Sequence, residues 1–224
     1  MMEDTVMKLK GIKKAMARQM TKSWTDVPQF HMETEVDCEP MIDFRRRLEY
    51  KPSYTAIIAK AVADSLCKHS SLNAYWGDDQ ITYCGKVNIG VAVDTKRGLL
   101  VPVIKNVDKL SLREVCEKLE QIKEKAVMGI YSAEELAGAT FTVSSLGKFR
   151  IYSFSSIVNA PQAGILSVPR MQEKLVWNKE EENVQVRRIM RLTLALDHRI
   201  ADGASGARFL TDLAEMLEKP EALK

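Results

Sequence analysis

Leu196-Asp197-His198-Arg199-Ile200-Ala201-Asp202-Gly203-Ala204 is the stretch whose reading organises the chain. It follows Arg191-Leu192-Thr193-Leu194-Ala195-Leu196, where apolar residues alternate with the period of a strand. A helical pattern, Ala207 to Leu217, comes after it. His198 therefore stands where a strand ends and the chain turns into a helix. Asp202-Gly203 supplies the turn chemistry, since Asp tolerates tight backbone geometry and Gly accepts φ > 0. A histidine delivered from a rigid strand is placed to act as a general base. A lone histidine also has many structural roles, so the rest of the chain must decide between them.

The composition narrows the field. The chain has 224 residues, 46% hydrophobic and 28% charged, which suits one large globular domain. Lys+Arg 33 against Asp+Glu 30 leaves +3, too weak a bias to point to nucleic acid. No apolar run approaches the roughly 18–20 residues of a membrane helix, and Met-Met-Glu-Asp-Thr does not begin a secretory signal. Cys38, Cys67, Cys84 and Cys116 are widely spaced and form no C-x-x-C pair. They read as free thiols of a reducing compartment rather than as a zinc site or a catalytic cysteine.

Periodicity places the elements. Lys8 to Trp24 reads as a helix with Ile12, Met16 and Met20 on one side and Lys10, Lys13, Lys14, Arg18 and Lys22 on the others. Pro28 ends that region, and Gln29 to Asp37 alternates as a half-buried strand. Glu39 to Leu48 and Tyr54 to Lys68 are helices; Leu72–Trp76 and Gln80–Cys84 are short strand candidates around Gly77-Asp78-Asp79. Val87 to Asp94 is apolar enough for burial on both faces. Arg97-Gly98 turns it into Leu99–Ile104, which Pro102 makes an edge or bulged strand. Ser111 to Lys125 is a helix with a Ser111/Glu114 capping box, and Ser132 to Leu136 repeats the signal on a short helix. Ala139 to Gly147, Ala163 to Val168, Met171 to Trp177 and Val184 to Leu196 are the remaining strands, and the last helix stops near Lys219-Pro220.

Asp-His-Arg-x-x-Asp-Gly-Ala at 197–204 resembles the active-site signature of the dihydrolipoamide acyltransferases, the catalytic cores of 2-oxo acid dehydrogenase complexes. The His-x-x-x-Asp-Gly pattern is shared with the wider chloramphenicol acetyltransferase superfamily. Other stretches are similar to the same family: Ala-Arg-x-Met with Val-Pro-x-Phe near the start, Asn88 to Pro102, Phe141-Thr142-Val143-Ser144 with Leu146-Gly147, and Phe154 to Gln162. The likeness runs from about Ala15 to Pro220. It implies an α/β (α+β) fold, a chloramphenicol acetyltransferase-like mixed sheet flanked by helices, in one catalytic domain over residues 1–224. It implies a homotrimer, assembled further into 24- or 60-subunit cores, with each site between subunits. The lipoyl domain and partner-binding domain usual in complete members are not read in this sequence, so a core fragment or a stand-alone transferase is expected.

The resemblance also assigns chemistry. Acyl transfer between the thiols of dihydrolipoamide and coenzyme A needs a base, since a free thiol of pKa about 8.5 is little ionised at neutral pH. His198 takes that role, Ser144 stabilises the oxyanion, and Asp202 organises the site, pairing with Arg199 or Arg18. Coenzyme A and lipoamide are the substrates, with no metal and no tightly bound cofactor. The implied partners are a lipoyl domain as acyl carrier and the 2-oxo acid dehydrogenase and dihydrolipoamide dehydrogenase components, without nucleic acid or membrane. The implied location is the cytoplasm, or the mitochondrial matrix in a eukaryote. One position departs: Arg150 stands where the family commonly has Gly, and Arg at φ > 0 would be strained. Acetyl is the first expectation for the acyl group, then branched-chain acyl, then succinyl. Another superfamily acyltransferase and an inactive trimeric scaffold are the alternatives.

Overall fold

The computed structural model describes residues 4–95, 98–128 and 131–223. In chain order the elements are α1 (Gly11–Asp26), β1 (Gln29–Asp37), α2 (Glu39–Arg47), α3 (Tyr54–Lys68), β2 (Ala74–Gly77), β3 (Gln80–Tyr83), β4 (Ile89–Thr95), β5 (Gly98–Leu100) and β6 (Val103–Ile104). Then follow α4 (Leu112–Met128), β7 (Phe141–Ser145), β8 (Gly164–Val168), β9 (Gln172–Asn178), β10 (Asn183–Asp197) and α5 (Gly203–Glu218). The main sheet runs β1-β10-β8-β7-β4-β5, with β6 also on β4 and β9 also on β10. The β4–β7 and β7–β8 pairs are parallel and the rest antiparallel. β2 and β3 form a separate hairpin. This is the mixed sheet flanked by helices that the motifs imply.

Alternation along β10 gives the sheet two different faces. Met190, Leu192, Leu194 and Leu196 join Val143 and Leu166 in the main core, where α3 and α5 supply Ile57, Ile58, Val62, Phe209 and Leu213. Ala195 and Ile165 look the other way and meet Val27 and Val158 in a small second cluster. That second face is otherwise polar, carrying Thr142, Ser144, Ser167, Thr193 and Glu33. α5 crosses the core face so closely that a Cβ on Gly206 would lie 2.7 Å from Leu196 Cδ1 and 2.8 Å from Met32 Sδ.

Several boundaries differ from the expected ones, each for a local reason. α1 starts at Gly11 rather than Lys8, because Lys10 at the N-cap offers no side-chain acceptor and lysines are unfavourable at a helix's positive end. α5 starts at Gly203, before the periodic pattern does, because Asp202 caps it and Gly206 is needed for close approach to the sheet. The Leu99–Ile104 strand is interrupted at Val101-Pro102 into β5 and β6; both are edge strands, as Pro102 requires, and the Pro102 carbonyl still accepts from Val91 N at 2.9 Å. The short helix at Ser132 is a 3-10 turn at Glu134–Leu136, although the Ser132/Glu135 capping pair forms as expected. β4 is enclosed on both faces only over Ile89–Val91, while Asp94 is exposed. Gly98 adopts φ 112; Arg97 of the expected turn lies outside the described residues.

Two outcomes follow. A methyl at Gly164 would lie 2.6 Å from Leu196 Cδ2 and 3.0 Å from the Ala195 carbonyl oxygen. Gly164→Ala is expected to destabilise by about 1–3 kcal/mol, read from urea unfolding, whereas Gly85→Ala, with nothing within 4 Å, serves as the neutral control. The second concerns acid. Arg188 donates to Glu39 from Nε at 2.8 Å and Nη2 at 2.7 Å, tying α2 to β10. These bonds hold the Glu39 carboxyl at about 2 against an ordinary 4.5. A carboxylate whose folded pKa is depressed stabilises above its unfolded value and loses that contribution as the pH falls through the folded one. Stability measured from pH 5 to pH 2 should therefore fall, and less steeply in Glu39→Gln.

Candidate active site

The turn after β10 is held from three directions. Asp197 N donates to the Ala163 carbonyl at 2.9 Å and His198 N to the Pro28 carbonyl at 3.1 Å. The Asp197 carbonyl then accepts from Ile200 N and Ala201 N at 3.0 and 3.1 Å, which closes the turn. The Asp197 carboxylate is 1% exposed, and such a charge is tolerated only when fully paired. Arg199 pairs it: Nε donates to Oδ1 at 3.0 Å, Nη2 to Oδ2 at 2.7 Å, and the Arg199 backbone N to Oδ1 at 3.0 Å. This two-point geometry fixes direction as well as distance. It also raises the Arg199 pKa, the hydrogen bond to Asp197 being the main cause. The guanidinium lies over the Trp76 ring, 4.7 Å from its centroid.

With both flanking residues fixed, His198 projects outward. Its ring is exposed and rests on Phe30, centroids 4.7 Å apart and planes tilted by 52°. No side-chain hydrogen bond to the imidazole occurs among the described residues, which leaves both nitrogens open to a substrate.

Asp202 accepts from Ser205 N at 2.8 Å and is the N-cap of α5. The bonds from Ser205 hold its carboxyl below the ordinary value. The expected pairing of Asp202 with Arg199 or Arg18 is not formed. Arg199 is committed to the nearer and buried Asp197, and Arg18 is exposed on α1 with no ion pair among the described residues. Asp197, Trp76 and Phe30 are the site residues that the motif reading missed. The alternation Asp197-His198-Arg199 was the available signal, because side chains two apart on an extended strand share a side.

Ser144 is half-buried on β7, and its hydroxyl has no hydrogen-bond partner among the described residues. Its register is Ala92 on one side and Ser167 on the other, and Ser167 pairs with Thr193. His198 lies five residues beyond Thr193 and two strands across. At about 3.3 Å per residue and 4.8 Å per strand, the two backbones stand roughly 19 Å apart. They also use opposite faces, since Ser144 shares the polar face while Phe30, under His198, packs toward the main core. One chain does not bring them together. Arg150 sits in the exposed turn after β7 and is not among the residues with positive φ, so the expected strain is absent.

Comparison with known proteins places this arrangement. The family described as 2-oxoacid dehydrogenases acyltransferase (catalytic domain) matches residues 2–224. The chain belongs to this family. It is 36% identical to the dihydrolipoyllysine-residue acetyltransferase component of the pyruvate dehydrogenase complex of Mycoplasma capricolum, over 96% of this chain and 51% of that protein. It is 33% identical to the mitochondrial lipoamide acyltransferase component of the branched-chain alpha-keto acid dehydrogenase complex of Arabidopsis thaliana, over 99% of this chain and 47% of that protein. The chain thus spans about half the length of the curated relatives it matches. Among solved structures, the Azotobacter vinelandii dihydrolipoamide acetyltransferase superposes with a TM-score of 0.93 at 32% identity, over 99% of this chain and 94% of that one. Chloramphenicol acetyltransferase shares the fold, with a TM-score of 0.61 at 11% identity over 89% of this chain and 94% of that one.

The Azotobacter protein was studied for the catalytic role of a serine, a histidine and an asparagine four residues beyond the histidine. At that spacing this acyltransferase-family chain has Asp202. Asn and Asp are equally good N-caps, so Asp202→Asn should keep the melting temperature, whereas Asp202→Ala should lose about 1 kcal/mol with the cap. Thermal melts of the two variants measure the difference.

Proposed function

We propose that the chain is the catalytic core of a dihydrolipoamide acyltransferase, moving an acyl group between dihydrolipoamide and coenzyme A. The observation that carries this reading is His198, exposed and with no hydrogen bond to its ring among the described residues, on a turn whose two neighbouring side chains are locked together. Imidazole accepts the proton of the attacking thiol, and the sulfur lone pair adds to the thioester carbonyl carbon. The carbonyl oxygen becomes an oxyanion that takes a hydrogen bond from the Ser144 hydroxyl. Collapse re-forms the carbonyl and expels the second sulfur, to which His198 returns the proton. Base catalysis of this kind contributes roughly 10²–10⁴-fold, and one oxyanion donor about 2.7–4 kcal/mol of barrier.

The separation of Ser144 from His198 supports a site shared between copies, the histidine from one and the serine from its neighbour, in a homotrimer. Larger 24- or 60-subunit cores are built from such trimers. Acetyl is the acyl group favoured by the relatives from pyruvate dehydrogenase complexes, and branched-chain acyl is the alternative favoured by the Arabidopsis relative. A lipoyl domain brings the acyl group, and the dehydrogenase and dihydrolipoamide dehydrogenase components act before and after the transfer. No helix among the described residues is long and apolar enough to cross a membrane. Work in the cytoplasm, or in the mitochondrial matrix of a eukaryote, is proposed from the relatives, of which those of Arabidopsis and Dictyostelium are named mitochondrial.

Acyl transfer from acetyl-, isobutyryl- and succinyl-coenzyme A to dihydrolipoamide tests the reading. Turnover is expected with acetyl-coenzyme A, falling roughly 10²–10⁴-fold in His198→Ala and about 10²–10³-fold in Ser144→Ala; a folded, inactive wild type with all three donors overturns it. Co-expression of the two variants tests the shared site. Random mixing regenerates complete sites at about one quarter of the wild-type number if they lie between copies, and none if each copy is self-contained.

A further inference from the structure

Ser144 is one member of a row that crosses the polar face of the sheet. Pairing places Ala92, Ser144, Ser167, Thr193 and Glu33 side by side on β4, β7, β8, β10 and β1. Of the two neighbours of Ser144, Ala92 has no polar side-chain atom, so Ser167 is the only hydroxyl beside it in the row. Neighbouring strands are about 4.8 Å apart, and side chains in register point to the same face. A χ1 rotation of a serine is a change of staggered well rather than a backbone movement. The two hydroxyls are therefore within reach of each other without rearrangement of the sheet.

Ser167 is itself held. It is 0% exposed, and its Oγ accepts the backbone N–H of Ser156 at 3.1 Å and lies 2.8 Å from Ser156 Oγ. Thr193, on its far side, donates to Glu33 Oε1 at 3.2 Å. A donor aimed at an oxyanion needs its own oxygen fixed from behind, and an acceptor lone pair is what remains for that on Ser144. Hydroxyls linked in series polarise one another, which strengthens the last donor.

We propose that Ser167, held by Ser156, is a positioning residue for the Ser144 hydroxyl: Ser156 donates to Ser167, and Ser167 to Ser144, whose own proton is left to face the reacting carbonyl oxygen. The proposal rests on the oxyanion role assigned to Ser144 above. It gives this hydrogen-bonded pair a part in turnover beyond fastening Ser156 to the sheet.

A double-mutant cycle on the assembled protein separates the two roles. Steady-state kcat and KM for acetyl-coenzyme A and dihydrolipoamide are measured in wild type, Ser144→Ala, Ser167→Ala and the double variant, with melting temperature and oligomeric state as folding checks. Ser167→Ala is expected to lower kcat roughly 3–10-fold with both KM values unchanged, to lose nothing further in the Ser144→Ala background, and to be rescued by Ser167→Thr if that variant retains the wild-type melting temperature. An equal fold-loss in both backgrounds, or no loss in the folded Ser167→Ala protein, overturns the positioning role. Wild-type kcat in Ser144→Ala overturns instead the reading of Ser144 on which it rests, so the two failures are distinguishable.

Discussion

The pairing of β10 is the constraint on which the rest depends. Along Ile189–Asp197 it bonds to β1 on one edge, and on the other it bonds to β9 and then β8. A central strand bonded on both edges cannot shift by one residue without moving every side chain to the wrong face. Here that slip would put Leu192, Leu194 and Leu196 onto the polar face and Thr193 and Asp197 into the main core. The cost of that exchange fixes the register, and the register fixes where the strand stops. His198 inherits its position from the leucines that fix the register of the strand before it.

The end of the strand is secured differently. Apolar packing aims a strand, but it does not orient the first residue beyond it. The Asp197–Arg199 pair does so by spanning His198, with one partner buried and the other laid on Trp76. Such a pair gives limited net stability, because both ions lose hydration. Its value here is directional: a bidentate bond has one geometry, and it leaves the intervening imidazole pointing outward. Phe30 supplies the remaining wall. An imidazole kept by fixed neighbours, rather than by a carboxylate on its own ring, retains both nitrogens for the substrate of the proposed reaction.

Much of this was legible in the sequence because strands and buried helices announce themselves by period. β1 and α3 fall on their expected bounds, and β10 falls within two residues. The failures have physical causes. The first turn of α5 is Gly203-Ala204-Ser205-Gly206, small residues chosen by the close crossing of helix over sheet, so no apolar stripe marks it. The partner of Arg199 was misassigned because Asp202 suits a turn, and turn chemistry does not reveal which carboxylate is buried. Asp197 needed the strand register, which only the folded sheet provides. The motif reading singled out Ser144 and His198, but neither spacing nor period shows that they lie on opposite faces.

That opposition bears on how activity and assembly are linked. A hinge or loop movement of a few ångströms can close a gap between groups on facing surfaces. It cannot carry Ser144 around a sheet whose strands are bonded on both edges and whose other face is filled by α3 and α5. In the proposed reaction, which needs both groups at one carbonyl, they would come from two copies, and its chemistry would then depend on assembly even where each chain stays folded. The same geometry explains how the polar face can remain open in a single chain. Ser144 and Ala92 are left partly uncovered where Thr142 is capped by Gln162 and Ser167 by Ser156. Between those two capped residues, the open part of the face includes the serine that, in the proposed reaction, has to meet a group from outside the chain.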